Sequence, residues 1–175
     1  KNIEAFQDFR GHMLAEHLKD TKDFPGAAKH YRHALKFMME LPVFTEDQRL
    51  GTGQDLGFVL HEAKRYQDAL DNNLMVLAGG ERIHGATSPL LRSVNTNIAQ
   101  NLHALNRKPE AEPYLLRARD LARLEGRMWN EQDLLFQLGV LALETGRNDD
   151  ARRFMTERLR LVTLHKRKDL IDDAT

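Results

Sequence analysis

Ile98-Ala99-Gln100-Asn101-Leu102, with Ala111 thirteen residues after Ile98, is the stretch from which the architecture can be read. A large apolar residue, a small one beside it and a second large one three further on place a bump and a notch on one helical face. The same pattern stands at Leu14-Ala15-x-x-Leu18, Leu56-Gly57-x-x-Leu60 and Leu138-Gly139-x-x-Ala142. Each is followed at the same offset by an alanine, Ala27, Ala69 or Ala151, and the pattern recurs at 42, 42 and 40 residues. The small residue lets a second helix, carrying the alanine, approach closely. Each unit is therefore an antiparallel helical hairpin that cannot cover its own apolar face, and stacking the units buries a continuous core.

Punctuation agrees with this division. Pro25 and Pro109 stand just before the alanine, where proline suits a first helical turn. Thr45-Glu46-Asp47-Gln48 reads as a capping box opening the second unit. Ser88-Pro89 reads as N-cap and first helical residue of the third. Pro42, Gly79-Gly80 and Gly126 are expected to break the second helices near their ends, and Gly146 to turn the fourth hairpin. These signals predict helices at 2–21, 25–40, 46–63, 67–78, 89–105, 109–124, 128–144 and 148–164. The units span about 8–45, 50–86, 92–126 and 132–165, with 166–175 as a C-terminal tail or the start of a further helix.

Composition bounds the function classes. Among 175 residues, 26 Lys and Arg balance 26 Asp and Glu, which removes the global case for nucleic acid or an anionic membrane. No cysteine is present, so there is no disulfide frame, zinc thiolate or cysteine nucleophile. The longest apolar stretch, Leu138 to Leu143, is too short to span a bilayer. No secretory leader stands at the start, and the first residue is Lys1. The expectation is one cytoplasmic domain of 1–175, cut from a longer protein.

These motifs resemble tetratricopeptide repeats, in the long variant of about 42 residues seen in kinesin light chains rather than the standard ~34. The closest stretch runs from His84-Gly85 to Ala118, with Asn97-Ile98-Ala99 on one helix and Glu110-Ala111-Glu112-Pro113 on the next. The second repeat departs at Asn73 and Val76, and the fourth at Ala142 and Arg158. The resemblance implies an all-α, right-handed α-solenoid of about four hairpins, a scaffold for protein–protein interaction. It also implies that ligands bind a concave face lined by the first helix of each hairpin. On that basis the groove positions are Phe9, His12, Glu16, Lys19 and Asp20, then Gln54, Asp55, Phe58, His61 and Glu62. They continue with Thr96, Asn97, Gln100 and His103, then Asp133, Phe136, Gln137, Val140 and Glu144. One base against six acids makes that wall acidic, near −5.

Nine of these residues are the candidate peptide-binding set: Gln54, Asp55, Phe58, His61, Asn97, Gln100, His103, Phe136 and Gln137. The amides Gln54, Asn97, Gln100 and Gln137 stand on successive helices about 10 Å apart. Such a ladder can hold the backbone of an extended peptide, and solvated side chains are the alternative. Phe58 and Phe136 serve either as apolar floor or as packing between hairpins. His61 and His103 occupy one position of adjacent repeats, where titration would make binding pH-sensitive, but the repeat spacing opposes a shared metal ion. His30 and His33 have no carboxylate beside them at helical spacing, so no metal is expected. The clamp by which some family members grip chaperone tails needs Lys and Asn in the first groove; His12 and Glu16 stand there instead.

The segment from Arg147 to Lys168 carries eight bases against three acids. It reads as a docking patch or as the solvated outer face of a terminal repeat. Catalysis finds no support: Ser88 and Ser93 stand at a helix start, and Gly51-x-Gly53 with Gly57 lacks the strand and spacing of a dinucleotide loop. The chain therefore reads as an interaction module with no cofactor, taking a basic or mixed apolar and basic peptide, with no nucleic acid or membrane partner. The alternatives are a peptide sensor coupled to an effector domain outside this stretch, or a module that self-associates through the solenoid ends.

Overall fold

The computed structural model describes the backbone of residues 2–172 and the side chains of residues 11–165. Within them the chain forms eight α-helices and one 3-10 turn: α1 (Asn2–Asp20), α2 (Phe24–Glu40), α3 (Glu46–Glu62), α4 (Tyr66–His84), the 3-10 turn Pro89–Leu91, α5 (Arg92–Ala104), α6 (Lys108–Leu124), α7 (Met128–Glu144) and α8 (Asn148–Asp172). Each helix packs on the next, and α3 also touches α5, so the four hairpins stack as an α-solenoid.

The hairpin turns repeat with the sequence period. Lys22, Lys64, Asn106 and Gly146 all take positive φ, between 59° and 75°, and stand 42, 42 and 40 residues apart. At each turn the following residue donates its N–H five residues back: Asp23 to Leu18, Arg65 to Leu60, Arg107 to Leu102 and Arg147 to Ala142. That bond closes the first helix in a Schellman-type end, satisfying a carbonyl that would otherwise be orphaned. Asp23 then caps α2 by accepting from Gly26 N, and Thr45 and Gln48 form the reciprocal capping box at α3.

Three boundaries differ from expectation. α4 does not break at Gly79-Gly80 but runs on to His84. A Cβ on Gly79 would lie 2.9 Å from Leu50 Cδ2 and one on Gly80 2.6 Å from Leu91 Cδ2, so these glycines admit neighbouring leucines instead of ending the helix. Ser88 makes no side-chain cap; Pro89 opens the 3-10 turn and the α-helix starts at Arg92. The last helix passes the expected end at 164 and runs on through position 166 without interruption, so residues 166–172 continue α8.

The core sits between the helix layers in two pieces. One joins Ala15, Ala27, Ala28, Tyr31, Leu56, Val59, Leu60 and Ala69. The other runs from Leu70 on α4 to Phe154 on α8 and includes Ile98, Leu115, Leu135 and Leu138. Between them lie the buried Asn72 and Asn73, pressed against α3 where Gly53 and Gly57 leave room. Asn72 Nδ2 donates to Gly53 O at 2.7 Å.

Candidate functional site

Because α3, α5 and α7 are the first helices of successive hairpins, they stand side by side on one face. A cavity of about 380 Å³ opens there, with Ala99, Ala111, Leu115 and Leu141 beneath and His61, Gln100, His103, Phe136 and Gln137 around it. A second hollow of about 270 Å³ shares His61 and Gln100 and adds Gly57, Phe58, Glu62 and Asn97. The two form one trough, and it gathers seven of the nine candidate residues. The other two lie elsewhere: Gln54 lines a separate cavity at the α3–α5 junction, and Asp55 is engaged by Lys19 at 3.3 Å. The amide ladder therefore lacks its first rung in this trough.

Polar bridges tie each first helix to the next. Lys19 links α1 to α3 through Asp55; His61 Nδ1 meets Asn101 Oδ1 at 2.8 Å, linking α3 to α5; His103 Nε2 meets Glu144 Oε2 at 2.5 Å, linking α5 to α7. Since Asn101 Nδ2 already donates to Asn97 O, its Oδ1 accepts from His61, which sets the proton on Nδ1. The two histidines thus serve different partners and share none. Asn101, wholly buried on α5, was not among the expected site residues. Its one sequence signal was an amide at an interior position.

The expected acidity is tempered by these bridges. Lys19 pairs with both Glu16 and Asp55, and Lys108 joins His103 at Glu144. The hydrogen bond from His103, with Lys108 nearby, holds the Glu144 carboxyl below its usual range. Burial opposes ionisation of Glu16, but bonds from Lys19 and Tyr31 outweigh it and the group is lowered. Burial pushes Asp55 up despite the charge of Lys19. Among the described residues Asp20, Glu62 and Asp133 have no cationic partner, and Gln137 donates to Asp133 at 2.7 Å.

Phe58 packs between hairpins, whereas the cation contact of Phe136 lies within its own. Phe58 meets Phe24 edge-on at 6.3 Å, and Phe136 carries the Arg158 guanidinium 5.3 Å above its ring. Each still leaves nearly half its surface, 46% and 45%, to the trough. Of the C-terminal bases, Arg147 bonds Glu112 and Asp150, Arg153 pairs with Asp150, and Arg152 lies 4.0 Å from Asp149. The side chains of Phe9, Lys166, Arg167 and Lys168 lie outside the described residues. Among those described, no three His, Asp or Glu side chains converge to hold a metal ion, and no helix is long and apolar enough to cross a membrane.

Residues 50–123 match the sequence profile of the tetratricopeptide repeat. No curated protein sequence matches the chain. In fold the chain is similar to BtubC (BKLC) from P. vanneervenii, with a TM-score of 0.74 and 23% identity over 85% of this chain and 59% of that one. A kinesin light chain of nearly identical TPR-like repeats from Podosopora anserina gives 0.75 and 14% over 87% and 73%. The Rap conjugation gene regulator of plasmid pLS20, solved with the Phr* peptide, gives 0.70 and 14% over 88% and 42%. The chain thus spans about three fifths of BtubC and less than half of the Rap regulator. Residues 50–123, its second and third hairpins, thus match the tetratricopeptide repeat in sequence, and the four hairpins share the helical-repeat fold of these structures.

Proposed function

We propose that this domain is a protein-interaction scaffold that holds an extended peptide, or one helix of a partner, in the trough along α3, α5 and α7. The observation that carries this reading is the convergence of Phe58, His61, Asn97, Gln100, His103, Phe136 and Gln137 on one continuous hollow with an apolar floor. Asn97 and Gln100 make no side-chain hydrogen bond to another described residue, which leaves their amides for a peptide backbone. Phe58 and Phe136 offer half-exposed rings for apolar side chains. Glu62 and Asp133 favour a basic or mixed apolar and basic partner. No catalytic, cofactor or metal-borne step belongs to this function, whose setting is the cytoplasm.

The test is fluorescence anisotropy against basic and acidic peptide pools of equal length and hydrophobicity. The basic pool binds more tightly, and its affinity falls as salt rises. Changing both Asn97 and Gln100 to Ala weakens capture about tenfold, the scale of one or two net hydrogen bonds, with helical content unchanged. Preference for acidic peptides, or unchanged affinity in the double variant, removes the reading.

A second reading has peptide capture regulate an effector domain outside this stretch. The similarity in fold to a Rap regulator solved with a peptide favours it. Self-association through the ends is the remaining alternative, since Met13 and Leu14 on α1 and Leu159 and Leu164 on α8 are exposed. Sedimentation velocity over a concentration series separates it from the other two.

A further inference from the structure

A larger hollow lies away from the trough. Between the second and third hairpins, where α3 and α5 begin, a cavity of about 530 Å³ opens. Leu50, Val76 and Leu91 give it apolar walls, and Gly51 and Gly80 contribute no side chains to fill it. A Cβ added to Gly51 would meet no atom within 4 Å. The volume falls in the range of about 300–1,000 Å³ typical of small-molecule sites.

Its mouth carries a charged clamp. The Glu125 side chain, only 12% exposed, is gripped from two sides: Arg92 Nε lies 3.1 Å from Oε1 and Arg127 Nε 2.7 Å from Oε2. Both arginines therefore reach Glu125 through Nε, and no hydrogen bond ties their terminal Nη groups to another described residue. Two guanidiniums on one carboxylate give this corner of the mouth one positive charge, which Asp47 balances over the lining as a whole. The other acid of the lining, Asp47, is met by His84 Nε2 at 2.7 Å. Gln54, the amide absent from the trough, lines this cavity together with Ser93.

We propose that this cavity is a second binding site, independent of the peptide trough, for a small organic anion: a carboxylate carried on an apolar body. Arg92 and Arg127 anchor the carboxylate through their Nη groups, where planar guanidinium matches planar carboxylate. Glu125 is a positioning residue that holds the two arginines on one side of the mouth. The apolar body lies against Leu50, Val76 and Leu91, and Gln54 and Ser93 offer hydrogen bonds at the rim.

The test is an NMR titration of the full chain with 4-phenylbutyrate. The uncharged 4-phenylbutanamide serves as matched control, and acetate as the anion without a body. Phenylbutyrate shifts the amide resonances of Gly51, Gly80 and Ser93 saturably, and both controls bind at least about tenfold more weakly. Gly51→Leu fills the cavity and abolishes the shifts; its fold is checked by circular dichroism, and open space at Gly51 lets the side chain enter. Arg127→Gln, at a largely exposed position, weakens binding about tenfold, the loss of one charge-assisted hydrogen bond. Equal binding of the amide, no saturable shift, unchanged affinity in Gly51→Leu, or shifts confined to trough residues would each overturn the proposal.

Discussion

The core beneath α1–α4 and the core from α4 to α8 are built from different materials. The first relies on four alanines, Tyr31 and three aliphatic side chains, and on a polar chain in which the Tyr31 hydroxyl donates to Glu16, Glu16 pairs with Lys19, and Lys19 reaches Asp55. The second is dominated by leucine, with Ile98, Leu115, Leu135 and Leu138 all deeply buried. They meet at Asn73, which occupies the position held by Tyr31 in the first repeat and Leu115 in the third. Asn73 is wholly buried, and its Nδ2 finds no partner among the described residues. A solenoid is stabilised by its hairpins and by the interfaces between neighbours, and Asn73 puts a polar group against Gly57 inside the second hairpin, where the neighbouring repeats carry Tyr31 and Leu115.

The largest expected effect tests the aliphatic half. Leu138→Ala removes a side chain that is 1% exposed and destabilises the domain by roughly 2–5 kcal/mol, read from the urea midpoint. A loss under about 1 kcal/mol would mean that this half does not hold the fold.

The seam itself comes next. Asn73→Leu removes a buried amide whose Nδ2 has no partner among the described residues and whose Oδ1 accepts only a 3.5 Å bond from Asn72, and it restores the apolar residue of the neighbouring repeats. Stability rises by about 1–2 kcal/mol, and fluorescence and circular dichroism report one coincident transition. Destabilisation would show that Asn73 is held in place by its contact with Gly57, not tolerated despite it.

The smallest effect sharpens the polar half. Burial, followed by the bond to Glu16, raises the Tyr31 hydroxyl above its ordinary range. A raised phenol keeps its proton in the folded state longer than in the unfolded one. Its contribution is therefore complete below about pH 10 and declines as pH rises beyond it. Melting temperature followed from pH 8 upward falls less steeply in Tyr31→Phe than in the parent chain. An identical slope would assign the alkaline loss to other groups.

Much of the fold was legible because helical packing writes itself into spacing. The Leu-small-x-x-Leu pattern and the alanine at thirteen residues reflect bumps and notches that any close helix pair needs. The hairpin turns were half legible: Gly146 announces its positive φ, but Lys22, Lys64 and Asn106 take the same conformation with side chains that do not advertise it. Glycine misled at Gly79-Gly80, where a close approach by Leu50 and Leu91, not a helix end, is what the missing side chains permit.

The candidate site divides in the same way. Helical phase along each first helix was sufficient to bring seven of nine residues to one trough, because phase is a local property of 3.6 residues per turn. The charge of that wall was not legible, since it depends on partners such as Lys108 that reach in from second helices. The sequence by itself determined four hairpins and the face each first helix presents, both consequences of local periodicity. Only the tertiary structure decided that Gln54 turns to the junction cavity and that Arg92 and Arg127 close on Glu125. It also decided that the core falls in two pieces and that Asn73 lies buried against Gly57. Those outcomes rest on which side chains from distant repeats fill, or leave unfilled, the space between stacked hairpins.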